Sequence, residues 1–436
     1  MINDPGKVIT RFPPSPTGPL HIGNVRTALF NFLFAEKNGG TFIVRVEDTD
    51  KARSKKEYEA DMLESLAWLG IRHSGELWRQ SERGETYKKY LDQLIENGKA
   101  YVSAETEGNN QEVVRFKNPK KIVAFDDLIR GEVKFETSEL GDFIIAKNIY
   151  EPVYHLAVVI DDFESGVTHV IRGEDHISNT PRQILIQEAI GAPRPVYAHL
   201  PLILAPDRSK LSKRKHGESV SLNYYRKQGY LPSAILNYLA LLGWNSGTDR
   251  EIFSLAELIE AFDMSQIQKS GAVFDEKKLR WVNKEHLKRL PSQDVLKIIS
   301  DKIKERFPEN NIPENLPGIV AERIEIFSDV DALIRAGELD YFFKRPEPEK
   351  EKISWKNVEK GKTISHLQKI SEIISSGGGK KKIMAYADRE GLGDVLWPLR
   401  YVLSGREKSP DPIALFEALG KEESIKRIEA AVKILK

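Results

Sequence analysis

The 436 residues contain no cysteine, and that absence removes disulfides, thiolate catalysis and a cysteine-bound zinc together. Long apolar runs are missing too: nothing approaches the roughly 18 consecutive apolar residues of a membrane span. The opening M-I-N-D-P-G-K has no apolar region of the kind a signal peptide carries, so a cytoplasmic chain without membrane contact is expected. A surplus of one charge is the third lack. With 66 basic against 65 acidic residues the net charge is +1, which exerts no global pull on a polyanion. Any nucleic-acid surface has to be a local patch. The metal option left is a hard cation carried with a nucleotide. At about 150 residues per domain, the length suggests roughly three structural units with ample chain for a core.

What is there begins at residue 8. Val8 to Phe12 is a short apolar run suited to a buried parallel strand, and Pro13, Pro14 and Pro16 forbid its continuation. From Gly23 the period changes. Val25, Ala28, Leu29, Phe32 and Leu33 form one helical stripe, closed by Asn38-Gly39-Gly40, and Thr41 to Val46 reads as a second strand. This is a βαβ unit, whose first strand-to-helix turn lies at the carboxyl edge of a parallel sheet where ligands bind. Free N–H groups at the start of the helix suit a phosphate. Neither G-x-x-x-x-G-K-[ST] nor G-x-G-x-x-G is present in that turn.

Its place is taken by P-S-P-T-G-P-L-H-I-G-N, residues 14–24. The string resembles the "HIGH" signature of class I aminoacyl-tRNA synthetases, and its longer form resembles the glutamyl/glutaminyl branch. Farther on, Lys210-Leu211-Ser212-Lys213-Arg214 resembles the second class I signature, the "KMSKS" loop, in the K-L-S-K-R form of glutamyl enzymes. Each string alone could be a turn or a basic surface loop. Two in this order, about one nucleotide-binding half apart, are far more specific.

Between and beyond them, Glu47-Asp48-Thr49-Asp50 follows the second strand and Tyr58 to Leu69 reads as an amphipathic helix. R-Q-S-E-R at 79–83 reads as a capping and packing device before a helix with the stripe Tyr87, Tyr90, Leu91, Leu94 and Ile95. From Tyr101 to about Tyr154, short β-type runs separated by polar turns suggest a small mixed insertion. The main fold resumes at Tyr154 to Asp162, Val167 to Ile171 makes another strand, the fourth by this count, and Val196 to Leu204 a fifth. From Pro291 onward the chain reads as almost purely helical. Gly377-Gly378-Gly379 before three lysines reads as a flexible helix connector ahead of a phosphate contact.

The resemblance implies an α/β fold: a class I Rossmann-like parallel sheet, with an inserted connective domain, followed by stem-contact and all-helical anticodon-binding domains. Residues 1–100 and 155–218 would be the split catalytic domain, 101–154 the acceptor-binding insertion, 219–290 the stem-contact domain and 291–436 the anticodon-binding region. The helical end matches bacterial glutamyl enzymes, since glutaminyl enzymes use β-barrels there. One departure is T-E-G-N-N-Q-E at 106–112, where a longer arm, sometimes with zinc-binding cysteines, would stand; no zinc is expected. The alternatives are a glutaminyl or tRNA-base-glutamylating relative, or a non-catalytic tRNA-binding paralogue.

The reaction so implied is attack by the carboxylate of L-glutamate on the α-phosphate of ATP, with Mg²⁺, then acyl transfer to the 3′ end of tRNA(Glu). It needs positioning and charge stabilisation and no protein nucleophile. His21, Lys210 and Lys213 fit as catalytic donors and cations, with Lys213 on the leaving pyrophosphate. Thr17, Gly18, Gly23, Asn24 and Ser212 complete the expected ATP site. A second carboxylate on the substrate calls for arginine, whose fork meets it bidentately. By resemblance, Arg11 and Arg172 bind glutamate with Ser15 and Tyr154, Glu47 holds its ammonium, and Arg323 contacts an anticodon base. A monomer is expected.

Overall fold

Proline does end the first strand. In the computed structural model, which describes residues 6–104, 112–212, 215 and 217–436, β1 (Ile9–Phe12) stops at Pro13, and the chain loops to α1 (Ile22–Lys37) before β2 (Thr41–Val46). β1 and β2 pair in parallel, Ile9 opposite Thr41, as the βαβ reading requires. The expected stripe of α1 is buried, and so are Phe30, Asn31 and Ala35. The helix is covered on several sides. β2 passes through α2 (Lys56–Leu69) to β3 (Trp78–Arg79), again in parallel, and α3 (Gly84–Glu96) follows.

The stretch read as an insertion divides in two. β4 (Ala100–Ala104), β5 (Glu112–Phe116), β8 (Phe143–Asn148) and β9 (Glu151–Pro152) make an antiparallel sheet of their own. The hairpin of β6 (Ile122–Asp127) and β7 (Gly131–Glu136) instead joins the edge of the main sheet. Next, the apolar run counted as a strand is a helix, α4 (Tyr154–Glu164). A continuous apolar run does not distinguish a buried strand from a buried helix, and here Leu156 to Asp162 are all buried. β10 (His169–Gly173) follows, then α5 (Thr180–Ile190), with Pro181 in its first turn, and β11 (Val196–Leu200). The expected fifth strand is broken after Leu200 and resumes as β12 (Ile203–Leu204), paired with β13 (Ala272–Val273). Pro201 has no N–H for a ladder, and the amide of Leu202 bonds the Glu174 carboxylate at 2.8 Å.

β10, β11 and β6 run in parallel in the order β10-β11-β6, with β7 antiparallel at the edge. The amide of Thr168 donates to the carbonyl of Ile9 (3.0 Å), which lays β10 beside β1. From that junction β2 extends to one side and β11 to the other, so β1 and β10 flank a topological switch point. Their carboxyl ends, carrying Arg11 and Arg172, open onto the crevice where such sheets bind ligands.

The chain forms two compact units, Met1–His286 and Leu287–Lys436. The second is helical throughout its regular elements. Ile299, Ile303, Leu316, Val320 and Val330 are buried in its first part; Leu367, Ile370, Leu399, Leu415 and Ile428 are buried in its second. Ile298, by contrast, is 39% exposed. The triglycine is a junction: Gly377, at φ +78°, closes the helix Lys360–Ser375, and Lys380 opens the next. Among the described residues no helix is long and apolar enough to cross a membrane.

Gly40 marks a close approach of backbone. A Cβ there would stand 2.3 Å from the Val8 carbonyl oxygen and 2.9 Å from the Val8 Cβ, beside the bond from the Thr41 amide to that same carbonyl (2.8 Å). Gly40→Ala should therefore cost about 1–3 kcal/mol of stability, read as a lower midpoint in denaturant unfolding. An unchanged midpoint would show that the start of β1 is free to give way.

Candidate active site

Ser15, Thr17, His21, Gly23 and Asn24 line one cleft of about 620 Å³ together with Arg11, Glu47, Tyr154, Arg172 and Lys210. Ten of the residues expected from the sequence thus meet in one place. Gly18 and Ser212 are not part of that lining, and Lys213 lies outside the described residues.

His21 caps α1, and its Nδ1 accepts the Gly23 amide at 2.9 Å. That bond fixes the tautomer: in the neutral ring the proton is on Nε2, which is left as the donor. Burial lowers the His21 pKa from its usual value, with the charge of Lys210 adding to the effect. Gly23 has its reason here, because a Cβ would lie 2.8 Å from the His21 ring. The first signature loop is tied through the backbone to the segment that follows the second. The Leu222 amide donates to the Leu20 carbonyl (2.9 Å), and His21 bridges Ser221. Lys210, bridged to Leu204, holds Asp175 at 2.8 Å.

The arginines are buried, at 1% exposure for Arg11 and 5% for Arg172. Arg11 Nε donates to both oxygens of Asp162 (3.2 Å each). Arg172 Nε donates to His199 Nε2 (3.2 Å) and its Nη2 to Thr180 Oγ1 (2.8 Å). In each side chain Nη1 is buried with no hydrogen-bond partner among the described residues. A buried donor without a partner costs about 1–3 kcal/mol, more when charged, so these two, with Nε of Arg26 on the same cleft, suit an anionic ligand. The Tyr154 hydroxyl bonds His176 Nδ1 at 3.1 Å, and burial, with Arg172 nearby, pushes His176 down to about 4.

Beneath them lies a charge network that the sequence reading missed. Arg45, fully buried, bonds Asp162 (2.8 Å) and Glu47 (3.2 Å) and faces Asp161 at 3.7 Å. Asp161 in turn accepts from Gln80 (2.9 Å), Arg83 (2.7 Å) and Tyr87 (2.8 Å). The R-Q-S-E-R string is accordingly a packing device. Burial alone would lower Arg45, but Asp162, Asp161 and Glu47 outweigh it and hold the guanidinium above its usual range. Burial would likewise raise Asp162, and Arg11 and Arg45 hold it below the carboxylate range. Glu47 comes off worst, sharing Arg45 with two other carboxylates: burial and the Asp162 charge prevail over Arg45 and push it up to about 7. The signal in the sequence was the pair Asp161-Asp162 at the end of an apolar run.

Arg323 is in the second unit, at the end of the helix Leu316–Arg323, and pairs with Glu338. A contact with a base would require it to share or leave that carboxylate.

Comparison with known proteins agrees with this geometry. The family described as tRNA synthetases class I (E and Q), catalytic domain, matches residues 7–112 and 104–281, and an anticodon binding domain matches 280–432. A glutamate–tRNA ligase 1 of Petrotoga mobilis is 42% identical over 460 residues, covering 97% of both chains. The chain belongs to the glutamate–tRNA ligase family. Another such ligase, from Syntrophomonas wolfei, is 38% identical, covering 98% of this chain and 96% of its own. Among solved structures, a glutamate tRNA ligase from Elizabethkingia meningosepticum in complex with its amino acid superposes with a TM-score of 0.86 at 33% identity, over 99% of this chain and 100% of that one. Membership in the glutamate–tRNA ligases makes the chain a class I aminoacyl-tRNA ligase, an enzyme, and sets aside the glutaminyl, base-glutamylating and non-catalytic alternatives.

Glu47 gives a pH test. Its carboxyl is raised above the unfolded value, so its contribution to folding is present below that value and fades as pH rises through about 7. Over the same interval it would become the anion that the role expected from the sequence, holding an ammonium, requires. Glutamate affinity should therefore rise between about pH 6 and pH 8 in direct titrations, and Glu47→Gln should bind more weakly with a flat profile there. The same slope in Glu47→Gln would assign the effect to another group.

Proposed function

We propose that this cleft activates L-glutamate with ATP and passes the glutamyl group to the 3′ end of tRNA(Glu). The single observation that carries the reading is the pair of buried guanidinium nitrogens, on Arg11 and Arg172, left without partners in the cleft that His21 and Lys210 also line.

In the first step an oxygen of the substrate's α-carboxylate attacks the α-phosphorus of ATP. A P–O bond forms, the bond to the bridging oxygen breaks, and pyrophosphate departs with that electron pair. In the second, a ribose hydroxyl of the tRNA terminus attacks the acyl carbon of the adenylate, loses its proton, and AMP leaves. His21 Nε2–H and the Lys210 ammonium would donate to phosphate oxygens as charge builds on them, in a site where fixed donors need no reorganisation. Lys213 is assigned to the same task on its sequence motif alone. Arg11 and Arg172 would take the side-chain carboxylate of glutamate through Nη1, with Ser15 and Tyr154 alongside, and Glu47 its ammonium. A neutral glutamine would leave both guanidiniums underused, which is the source of discrimination.

The described residues include no group of three or more His, Asp or Glu side chains that could hold a metal. Mg²⁺ is assigned to ATP as part of the substrate, with no protein ligand named. The helical second unit, with Arg323, is assigned to the anticodon end of the tRNA. A monomer is proposed, and charging of tRNA suits a cytoplasmic enzyme.

Truncating one partner of a buried charge pair costs about 2–5 kcal/mol, so Arg172→Ala should weaken glutamate binding by about thirtyfold or more while ATP binding holds. Wild-type affinity in that variant would refute the clamp. His21→Ala should slow ATP–pyrophosphate exchange by about a hundredfold or more with glutamate affinity kept. Equal losses in both would move His21 from the phosphates to the amino acid.

A further inference from the structure

Arg172 owes its direction to residues outside the cleft. Its Nε and Nη2 are spoken for, by His199 and Thr180, and only Nη1 is left for a ligand. His199 is fully buried on β11, opposite Arg172 in the ladder. A neutral imidazole can accept at Nε2 only when its proton sits on Nδ1. The atom that enforces this is Oδ2 of Asp127, 2.6 Å from His199 Nδ1. Asp127 is itself pinned: its Oδ1 accepts the amides of Ile129 and Arg130 at 2.9 Å each, and the His199 amide reaches its Oδ2 at 3.1 Å. These bonds and the pairing with His199 outweigh burial and hold Asp127 below the usual carboxylate range, so it accepts only.

We infer that Asp127 and His199 are positioning residues of the glutamate site: the carboxylate selects the Nδ1–H tautomer, and the Nε2 lone pair so exposed holds Arg172 with Nη1 turned to the substrate.

The opposite tautomer would set Nε2–H against the Arg172 Nε–H, two donors with nothing between them, and the guanidinium would have to rotate away. Thr180 cannot replace the imidazole, since its hydroxyl lies 3.2 Å from the same Nε2 and already accepts from Arg172 Nη2. The remaining charged and titratable neighbours leave the ring neutral. Arg172 faces it, the Arg130 guanidinium donates to the His199 carbonyl (3.3 Å), and the Tyr197 ring stacks on it at 6.1 Å. Burial lowers its pKa, and Asp127 offsets only part of that. Asp127 is the last residue of β6, so a strand from the inserted stretch acts on the amino-acid site across β11. The inference rests on the assignment of Arg172 to glutamate.

The test compares four variants of the full-length enzyme in ATP–pyrophosphate exchange with the cognate tRNA present, alongside L-glutamate titrations and thermal unfolding. Asp127→Asn keeps the shape. Its carbonyl can serve the Ile129 and Arg130 amides while its NH₂ group faces His199 Nδ1 and selects the wrong tautomer. The KM for glutamate should rise about ten- to a hundredfold, with the KM for ATP and the rate at saturating glutamate little changed. His199→Gln, whose carbonyl can accept from Arg172, should retain most of the glutamate affinity, and His199→Leu should lose it. Two results overturn the inference. One is a glutamate KM in Asp127→Asn that stays at the wild-type value or moves together with the ATP KM. The other is equal affinity in His199→Gln and His199→Leu, a comparison that decides the matter even where Asp127→Asn fails to fold. Arg172→Ala separates the two levels: if it keeps wild-type affinity, the clamp fails and this inference with it. If it loses affinity while Asp127→Asn does not, only the inference fails.

Discussion

Arg45 is the constraint from which the catalytic unit is built. An arginine with no contact with water has to be surrounded by carboxylates, because the effective penalty for burying an isolated ion is several kcal/mol. The chain supplies Asp161 and Asp162 from α4 and Glu47 from the end of β2. Each of these brings another element with it: Asp162 takes Arg11 of β1, and Asp161 takes Gln80, Arg83 and Tyr87 around the start of α3. The first strand, α4 and the start of α3 are thereby locked to one cluster. The same cluster supplies the floor of the cleft. Replacing such a network by apolar residues is often neutral for stability; what it provides here is a set of charges whose places are fixed before any ligand arrives.

Fixed charge also explains the division of labour around the ligand. Asp162 occupies the Nε of Arg11, and neutral acceptors occupy the Nε and Nη2 of Arg172, so each guanidinium keeps a buried donor to spare on the cleft. On the same cleft, the neutral His21 ring takes its tautomer from an amide two residues ahead. The histidine and the arginines are each oriented by backbone or buried side chains and not by solvent, the condition under which small displacements stay rare.

The sequence disclosed the fold unevenly, for physical reasons. β1, α1 and β2 were legible because proline, helical periodicity and glycine punctuation act locally, and the cleft residues on them came with the motif. Tyr154 to Asp162 was misread as a strand, since an all-apolar run carries no period and burial on every side suits either structure. Val196 to Leu204 lost its continuity at Pro201, a break that the residue itself announced. The place of β6 was beyond reach: it joins β11 through a single residue pair, Tyr197 with Asp127, and no local pattern encodes a partner 70 residues away. Asp127 and His199 were therefore invisible as a pair, while Asp161-Asp162, two adjacent acids in an apolar run, was a signal that could have been read.

The bond that joins residue 222 to residue 20 has a consequence for the order of events during synthesis. Closing a loop of some two hundred residues is entropically slow compared with forming the local elements it encloses. On a growing polypeptide the wall that His21 and Ser221 share cannot exist until half of the protein has emerged. A nascent chain that has made the entire βαβ start still lacks the partner of Leu20 and His21, which belongs to a segment translated many seconds later.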